Sequence, residues 1–284
     1  MSLKTILVHL DTEAQAKALT QTAISVAKTF SSHVIGLHVA PNPFISAGIS
    51  GEMIGELIEA QRQANQATSK RIAEIFDQTV VGSGVAFDWR TIEANSEATS
   101  SVIMQFGQTA DLVILGQSDN TINLVDGIGN AEDVMLGIGR PVLIVPTKGT
   151  AATIGKRILL AWNGSREATR ATFDALPFLA KAESVHIFVA GQAETTLWGS
   201  LGDDRAPTAG LEATLQRHGV VTSVVTVKAS GGDVATKLLA SAKGYDCDLI
   251  VMGGYGHWRV REIVFGGAMR GVLTNTTIPV LMSH

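Results

Sequence analysis

Four glycines late in the chain, Gly253, Gly256, Gly266 and Gly267, are spaced for anion chemistry. Two residues separate the first pair and nine separate Gly256 from Gly266. Glycine has no Cβ, so backbone N–H groups there can approach a phosphate closely. A helix beginning near Gly267 would turn its positive end toward the same point. The spacer carries His257, Arg259 and Arg261, cations suited to neutralising phosphate or to a solvated basic loop, and we read at least one as a phosphate contact. Trp258 reads as packing surface rather than a stacking platform for a base. Because glycine turns after strands are often only turns, the elements around these residues decide what they mean.

Asp248 opens the apolar run Leu249-Ile250-Val251-Met252, which reads as a buried parallel strand ending in the glycine turn. The same run occurs earlier as Asp111-Leu112-Val113-Ile114-Leu115-Gly116. Two further pairs repeat in the same order. Lys4-Thr5-Ile6-Leu7-Val8-His9-Leu10-Asp11 matches Lys156-Arg157-Ile158-Leu159-Leu160-Ala161-Trp162-Asn163, and Pro141–Val145 matches Pro279–Ser283. The chain is therefore a duplicated domain. The first copy holds extra residues between its first and fourth strands, and Pro41–Gly55 is their natural place.

Within the first copy the pattern predicts strands at Ile6–Leu10, Ser32–Val39, Val85–Ile92, Leu112–Leu115 and Val142–Val145. Helices are expected at Thr12–Phe30, at Glu52–Gln78 after a Pro/Gly-rich loop, and at Ser96–Gly107 with a cap at Asn95-Ser96. The second copy predicts strands at Ile158–Trp162, Val185–Ala190, Ser223–Val227, Leu249–Met252 and Val280–Met282. Its helices are expected at Ser165–Leu179, Leu211–His218 and Asp233–Ala242, with a long connection from Gly191 to Gly210. Strands alternating with helices imply a parallel sheet covered on both faces, and ligands of such sheets bind beyond the carboxyl ends of the strands. Asn163, Val189 and Gly253 would converge there.

Composition narrows the function. With 22 basic and 26 acidic residues the net charge is −4, which disfavours a nucleic-acid partner. The single cysteine, Cys247, cannot form an intrachain disulfide, and beside a buried strand it reads as an inert thiol. No apolar stretch of about 20 residues is present, so no membrane span is expected, and the start at Met1-Ser2-Leu3-Lys4 lacks a leader pattern. The expected location is the cytoplasm. Ser230-Gly231-Gly232-Asp233 has half of a pyrophosphatase-type ATP loop, but it follows the third strand rather than the first and reads as a helix cap. Gly149 to Lys156 lacks the Walker spacing. The seven histidines have no metal-ligand spacing, and Lys156 and Arg157 read as strand-start charges.

Gly253-x2-Gly256-x9-Gly266-Gly267, with the matched strands around it, resembles the nucleotide signature of the universal stress protein family, and the resemblance covers nearly the whole chain. It implies an α/β fold of two tandem Rossmann-like domains of the adenine nucleotide alpha hydrolase-like type. Each domain would be a five-stranded, mainly parallel sheet flanked by helices, spanning residues 1–147 and 155–284. The resemblance also implies ATP lying across the ends of strands one, two and four. Ala161 and Val189 would then flank the base, with Asn163 where the family commonly has Asp. Met252, Gly253, Gly254, Tyr255 and Gly256 would wrap ribose and phosphates, and His257 and Arg259 would meet phosphate charge. Gly266, Gly267 and Ala268 would donate backbone N–H groups.

Two departures stand out. Gly267 replaces the family's hydroxyl residue and Asn163 removes a carboxylate, each deleting a contact of about 1 kcal/mol. The first copy departs further, with Asp119, Gly129 and Asn130 opposite Gly256, Gly266 and Gly267. A carboxylate facing phosphates is repulsive, so the first domain is expected to be structural although Asp11 is retained. The expected function is a cytoplasmic stress-response regulator binding ATP or ADP, with Mg2+, in its C-terminal domain. No general base is apparent near the loop, so any ATP hydrolysis would be slow. The alternative is a scaffold without nucleotide, acting through protein partners. An adenylate-forming enzyme is disfavoured because neither first strand is followed by such a signature. The fifth strands are sheet edges that the family uses to dimerise, which implies an intramolecular pseudo-dimer and leaves a homodimer open.

Overall fold

A computed structural model describes residues 2–41, 51–94, 98–117, 130–149, 153–191, 208–228, 233–254 and 266–284. The chain forms two compact units. The first contains β1 (Thr5–His9), α1 (Glu13–Phe30), β2 (His33–Ala40), α2 (Gly51–Val80), β3 (Phe87–Glu93), α3 (Thr99–Gly107), β4 (Leu112–Gly116) and α4 (Asn130–Gly137). In it β1 lies between β2 and β4, β2 pairs with β3, and all these pairings are parallel.

The second unit contains β5 (Val142–Val145), β6 (Arg157–Ala161), α5 (Arg166–Asp174), α6 (Leu176–Leu179) and β7 (Ser184–Gly191). It continues with α7 (Thr208–Arg217), β8 (Thr222–Lys228), α8 (Asp233–Gly244), β9 (Leu249–Gly253), α9 (Gly266–Asn275) and β10 (Val280–Ser283). Its strand order is β5-β10-β9-β6-β7-β8, parallel throughout except that β5 runs antiparallel to β10. Leu281 faces Leu143 at the centre of that pair. The closing strand of the first repeat thus packs as part of the second unit.

The central strands read as continuous apolar runs because both faces are covered. Ile6, Leu7 and Val8 on β1, Leu112 to Ile114 on β4 and Leu249 to Val251 on β9 are fully buried. Each such side chain contributes roughly 1.5–3 kcal/mol. Helix α1 buries Ala16, Leu19, Ala23, Val26, Ala27 and Phe30, an i, i+3, i+4 stripe, and ends at Ser31 in the left-handed region with φ 55°. In both units the aspartate before the fourth strand of the repeat fixes the start of the first. Asp111 Oδ2 accepts the N–H groups of Lys4 and Thr5 at 2.6 and 3.0 Å. Asp248 accepts four bonds, from the Thr153 hydroxyl and the N–H groups of Gly155, Lys156 and Arg157.

Several expectations change. The helix expected over Ser165–Leu179 breaks at Ala175, because Pro177 has no N–H and opens the short α6. Helix α3 starts at Thr99 with Ala98 as its N-cap and no side-chain cap, rather than at the Asn95-Ser96 pair, which lies outside the described residues. Helix α4, too short at eight residues to show a periodic signal, is present. The connections at residues 42–50 and 192–207 and the segment 229–232 lie outside the described residues.

Candidate functional site at the carboxyl ends of β6, β7 and β9

The chain leaves β6 toward β7 on one side and returns to β9 on the other, so the strand order switches between β6 and β9. Ala161 ends β6, Val189 lies near the end of β7, and Met252 and Gly253 end β9. These residues share one edge, held in register by Leu160 opposite Val251 and Ala161 opposite Phe188. Because β9 and β10 are parallel, α9 runs back between them, and its amino end lies at this same edge. Gly266 and Gly267 are the first two residues of that helix and Ala268 the third. Tyr255, Gly256, His257 and Arg259 lie outside the described residues.

Asn163 is committed locally. Its Oδ1 accepts the Ser165 N–H at 3.0 Å, and Ser165 Oγ accepts the Ala168 N–H at 3.1 Å, which starts α5. The amide NH2 of Asn163 is exposed and makes no hydrogen bond among the described residues, a donor where a carboxylate would offer only acceptors.

Gly253 has a packing reason of its own. A Cβ there would sit 2.5 Å from the Glu167 carbonyl carbon and 2.6 Å from the Ala168 nitrogen, so the first turn of α5 approaches only because the side chain is absent. Gly116 in the first unit is crowded differently, by the flexible end of Gln15 at 2.0 Å. Gly254 is also occupied. Its N–H donates to the Ser283 carbonyl at 2.9 Å, and its own carbonyl accepts from His284 Nδ1 at 3.1 Å, so that ring carries its proton on Nδ1. Gly254 therefore shapes the turn, its N–H and carbonyl both engaged within the fold.

Two polar atoms at this edge escaped the sequence reading. Ser283 Oγ and Trp162 Nε1 are buried without a hydrogen-bond partner among the described residues. Ser283 pairs in register with Gly253. The repeat alignment carried the signal, since Ser283 stands opposite Val145 and Trp162 opposite Leu10.

The equivalent edge of the first unit has different chemistry. By register, His9 and His38 occupy the positions of Ala161 and Val189. Both are buried, and both Nε2 atoms lack a partner among the described residues. His38 Nδ1 donates to the Leu10 carbonyl at 2.7 Å. Burial lowers the His9 pKa to about 4, against a smaller opposing pull from Asp11, with His38 adding to the depression. Among the described residues no three His, Cys, Asp or Glu side chains are grouped to hold a metal ion.

The family model of the universal stress protein family matches residues 2–146 and again residues 155–284. The chain belongs to the universal stress protein family. It is 28% identical over 180 residues to universal stress protein Slr1230 from Synechocystis, an alignment covering 60% of this chain and 57% of that protein. The chain thus matches little more than half the length of that curated relative. Among solved structures it is similar to a universal stress protein from Archaeoglobus fulgidus, with a TM-score of 0.71 and 16% identity over 98% of this chain and 95% of that one. It is also similar to the functionally unknown protein PA1789 from Pseudomonas aeruginosa, with a TM-score of 0.57 and 13% identity over 99% and 92%. At these identities the likeness is one of fold. Among the described residues no helix is long and apolar enough to cross a membrane.

Proposed function

We propose that the C-terminal repeat binds an adenine nucleotide, ATP or ADP with Mg2+, at the carboxyl ends of β6, β7 and β9, and that the N-terminal repeat is structural. The observation carrying this reading is the strand-order switch between β6 and β9, with the amino end of α9 opening at the same edge on Gly266-Gly267. Ala161 and Val189 form the wall for the base, and the Asn163 amide donates to ribose or base. Backbone N–H groups at Gly256, Gly266, Gly267 and Ala268 take the phosphates, while His257 and Arg259 supply counter-charge. Ser283 Oγ is a further group suited to the phosphate chain or its bound water. In the first repeat, imidazoles at the two base-wall positions and Asp119 opposite Gly256 oppose the same ligand. The role that follows is a cytoplasmic stress-response regulator reading nucleotide level, with at most slow hydrolysis.

Mass spectrometry of small molecules released from the purified protein, followed by calorimetric titration with ATP, tests this. One nucleotide per chain is expected, with affinity lowered at least tenfold by Gly256→Asp. No measurable affinity for ATP, ADP or AMP would remove the proposal. A second reading, a scaffold acting by protein contacts, draws on the engagement of the Gly254 N–H and Asn163 Oδ1 within the fold. Under it Gly256→Asp leaves partner capture unchanged.

A further inference from the structure

A cleft of about 650 Å³ lies at the amino ends of β6 and β9, the opposite end of these strands from the proposed nucleotide edge. That size falls within the range of small-molecule pockets. Its walls come from the start of β6, from α8 and the turn after it, from the end of α9, and from the segment preceding β6.

The walls are fixed by bonds already described or local to the cleft. Asp248 receives two donors on each carboxylate oxygen, Gly155 and Arg157 N–H on Oδ1, and the Thr153 hydroxyl and Lys156 N–H on Oδ2. The Thr276 hydroxyl donates to the Ile278 carbonyl and accepts its N–H, closing the turn after α9. Gly149, at φ 98°, lies so close to that turn that a Cβ would be 2.5 Å from the Thr277 carbonyl oxygen.

Two cations lining the cleft remain uncommitted. Arg157 donates its Nε to the Asp246 carbonyl at 2.7 Å, and its two terminal nitrogens make no bond among the described residues. Lys243 makes no hydrogen bond or ion pair among the described residues and is exposed. Asp248, the carboxylate beside them, has its four lone-pair positions filled, so it has none left for either cation. Asp246 presents its carbonyl to Arg157 and its carboxylate is exposed, and the charges of Asp248 and Asp246 reach the Cys247 thiol against the opposing pull of Arg157. Asn275 spends one amide hydrogen on the Gly271 carbonyl and keeps its Oδ1, and Thr277 keeps its hydroxyl. Leu239 and Ile278 supply apolar surface, and Cys247, whose pKa burial raises to about 11, is a neutral thiol there.

The geometry points to a second ligand site in the C-terminal repeat, taking a small organic anion with a phosphate or carboxylate head on an apolar body. The head lies between the Arg157 fork and the Lys243 ammonium, with the Thr277 hydroxyl and Asn275 as neutral partners, and the body lies on Leu239 and Ile278. Arg157, a strand-start charge by sequence, thereby becomes a ligand residue through its unspent nitrogens.

The test titrates the full chain with phenyl phosphate, with phenylacetate and with the neutral cyclohexanol, following backbone amide shifts by NMR. Saturable shifts of cleft residues are expected with at least one anion, and the tighter of the two assigns the head group. Lys243→Gln and Arg157→Lys are each expected to weaken binding about tenfold. Lys243 is exposed and unbonded, so its variant keeps the fold and remains informative if Arg157→Lys does not. No saturable shift with either anion, equal binding of cyclohexanol, or unchanged affinity in Lys243→Gln overturns the proposal. Because the readout and both variants lie at the amino ends of the strands, loss of nucleotide binding by Gly256→Asp leaves this result unaffected.

Discussion

At the end of β1 the first repeat carries an imidazole where the second carries a methyl group. His9 is buried and its pKa is lowered to about 4, so the unfolded chain takes up a proton first as pH falls. The neutral ring's contribution is fully present above about pH 6.5 and is lost as pH falls toward 4. The depression corresponds to roughly 3 kcal/mol, with desolvation the main cause and Asp11 a partial offset. Chemical denaturation between pH 4 and 7 is expected to show this slope in the wild type and a flatter one in His9→Ala, despite a cavity that lowers stability at pH 7. An equal slope in both proteins would remove His9 as its source. Gly253 invites a second measurement at the same scale. Gly253→Ala is expected to cost about 1–3 kcal/mol with no ligand present, because the Cβ meets the α5 backbone. Gly116→Ala is expected to cost under about 1 kcal/mol, because Gln15 can swing away. Comparable losses in denaturant melts would contradict the packing account. The first glycine of the loop pattern is therefore no clean probe of phosphate binding.

The elements were more legible in the sequence than the site. Apolar runs opened by Asp111 and Asp248 marked β4 and β9, and the repeat supplied strand positions that periodicity alone leaves ambiguous. Both aspartates turn out to tie the fourth strand of the repeat to the start of the first, a long-range role that local pattern does not express. Helix boundaries slipped where one residue overrides the pattern, as Pro177 does between α5 and α6. Helix α4 escaped because its eight residues are too few for a period to register. At the site, glycine spacing located α9 to within a residue of Gly267 but could not separate the jobs of the glycines. Gly253 makes room for α5, Gly254 holds the end of β10, and the opening of α9 falls on Gly266. Asn163 read as a lost carboxylate, and its oxygen is spent on the Ser165 N–H. Those distinctions depend on which atom meets which neighbour, and residue type does not encode that.

Across the whole molecule the two repeats have kept their strands and diverged at the strand ends. The second repeat has Ala161, Val189 and a glycine loop, and the first has His9, His38 and Asp119. Divergence of this kind leaves a shared scaffold with separate surface chemistry. The antiparallel pairing of β5 with β10 adds a consequence for cutting the chain. Strand β5 precedes the segment between the family matches, yet its four residues are buried in the second unit. Insert a protease site within residues 150–152 and cleave it: the two halves on either side of the cut are expected to elute together in size-exclusion chromatography, because β5 remains annealed to β10. Expressed alone, residues 155–284 present β10 as a bare apolar edge and are expected to self-associate. Separate elution of the two cleaved halves, or a monomeric 155–284 fragment, would refute this. The protein is thus a natural candidate for split-fragment complementation, with a four-residue strand as the recognition tag.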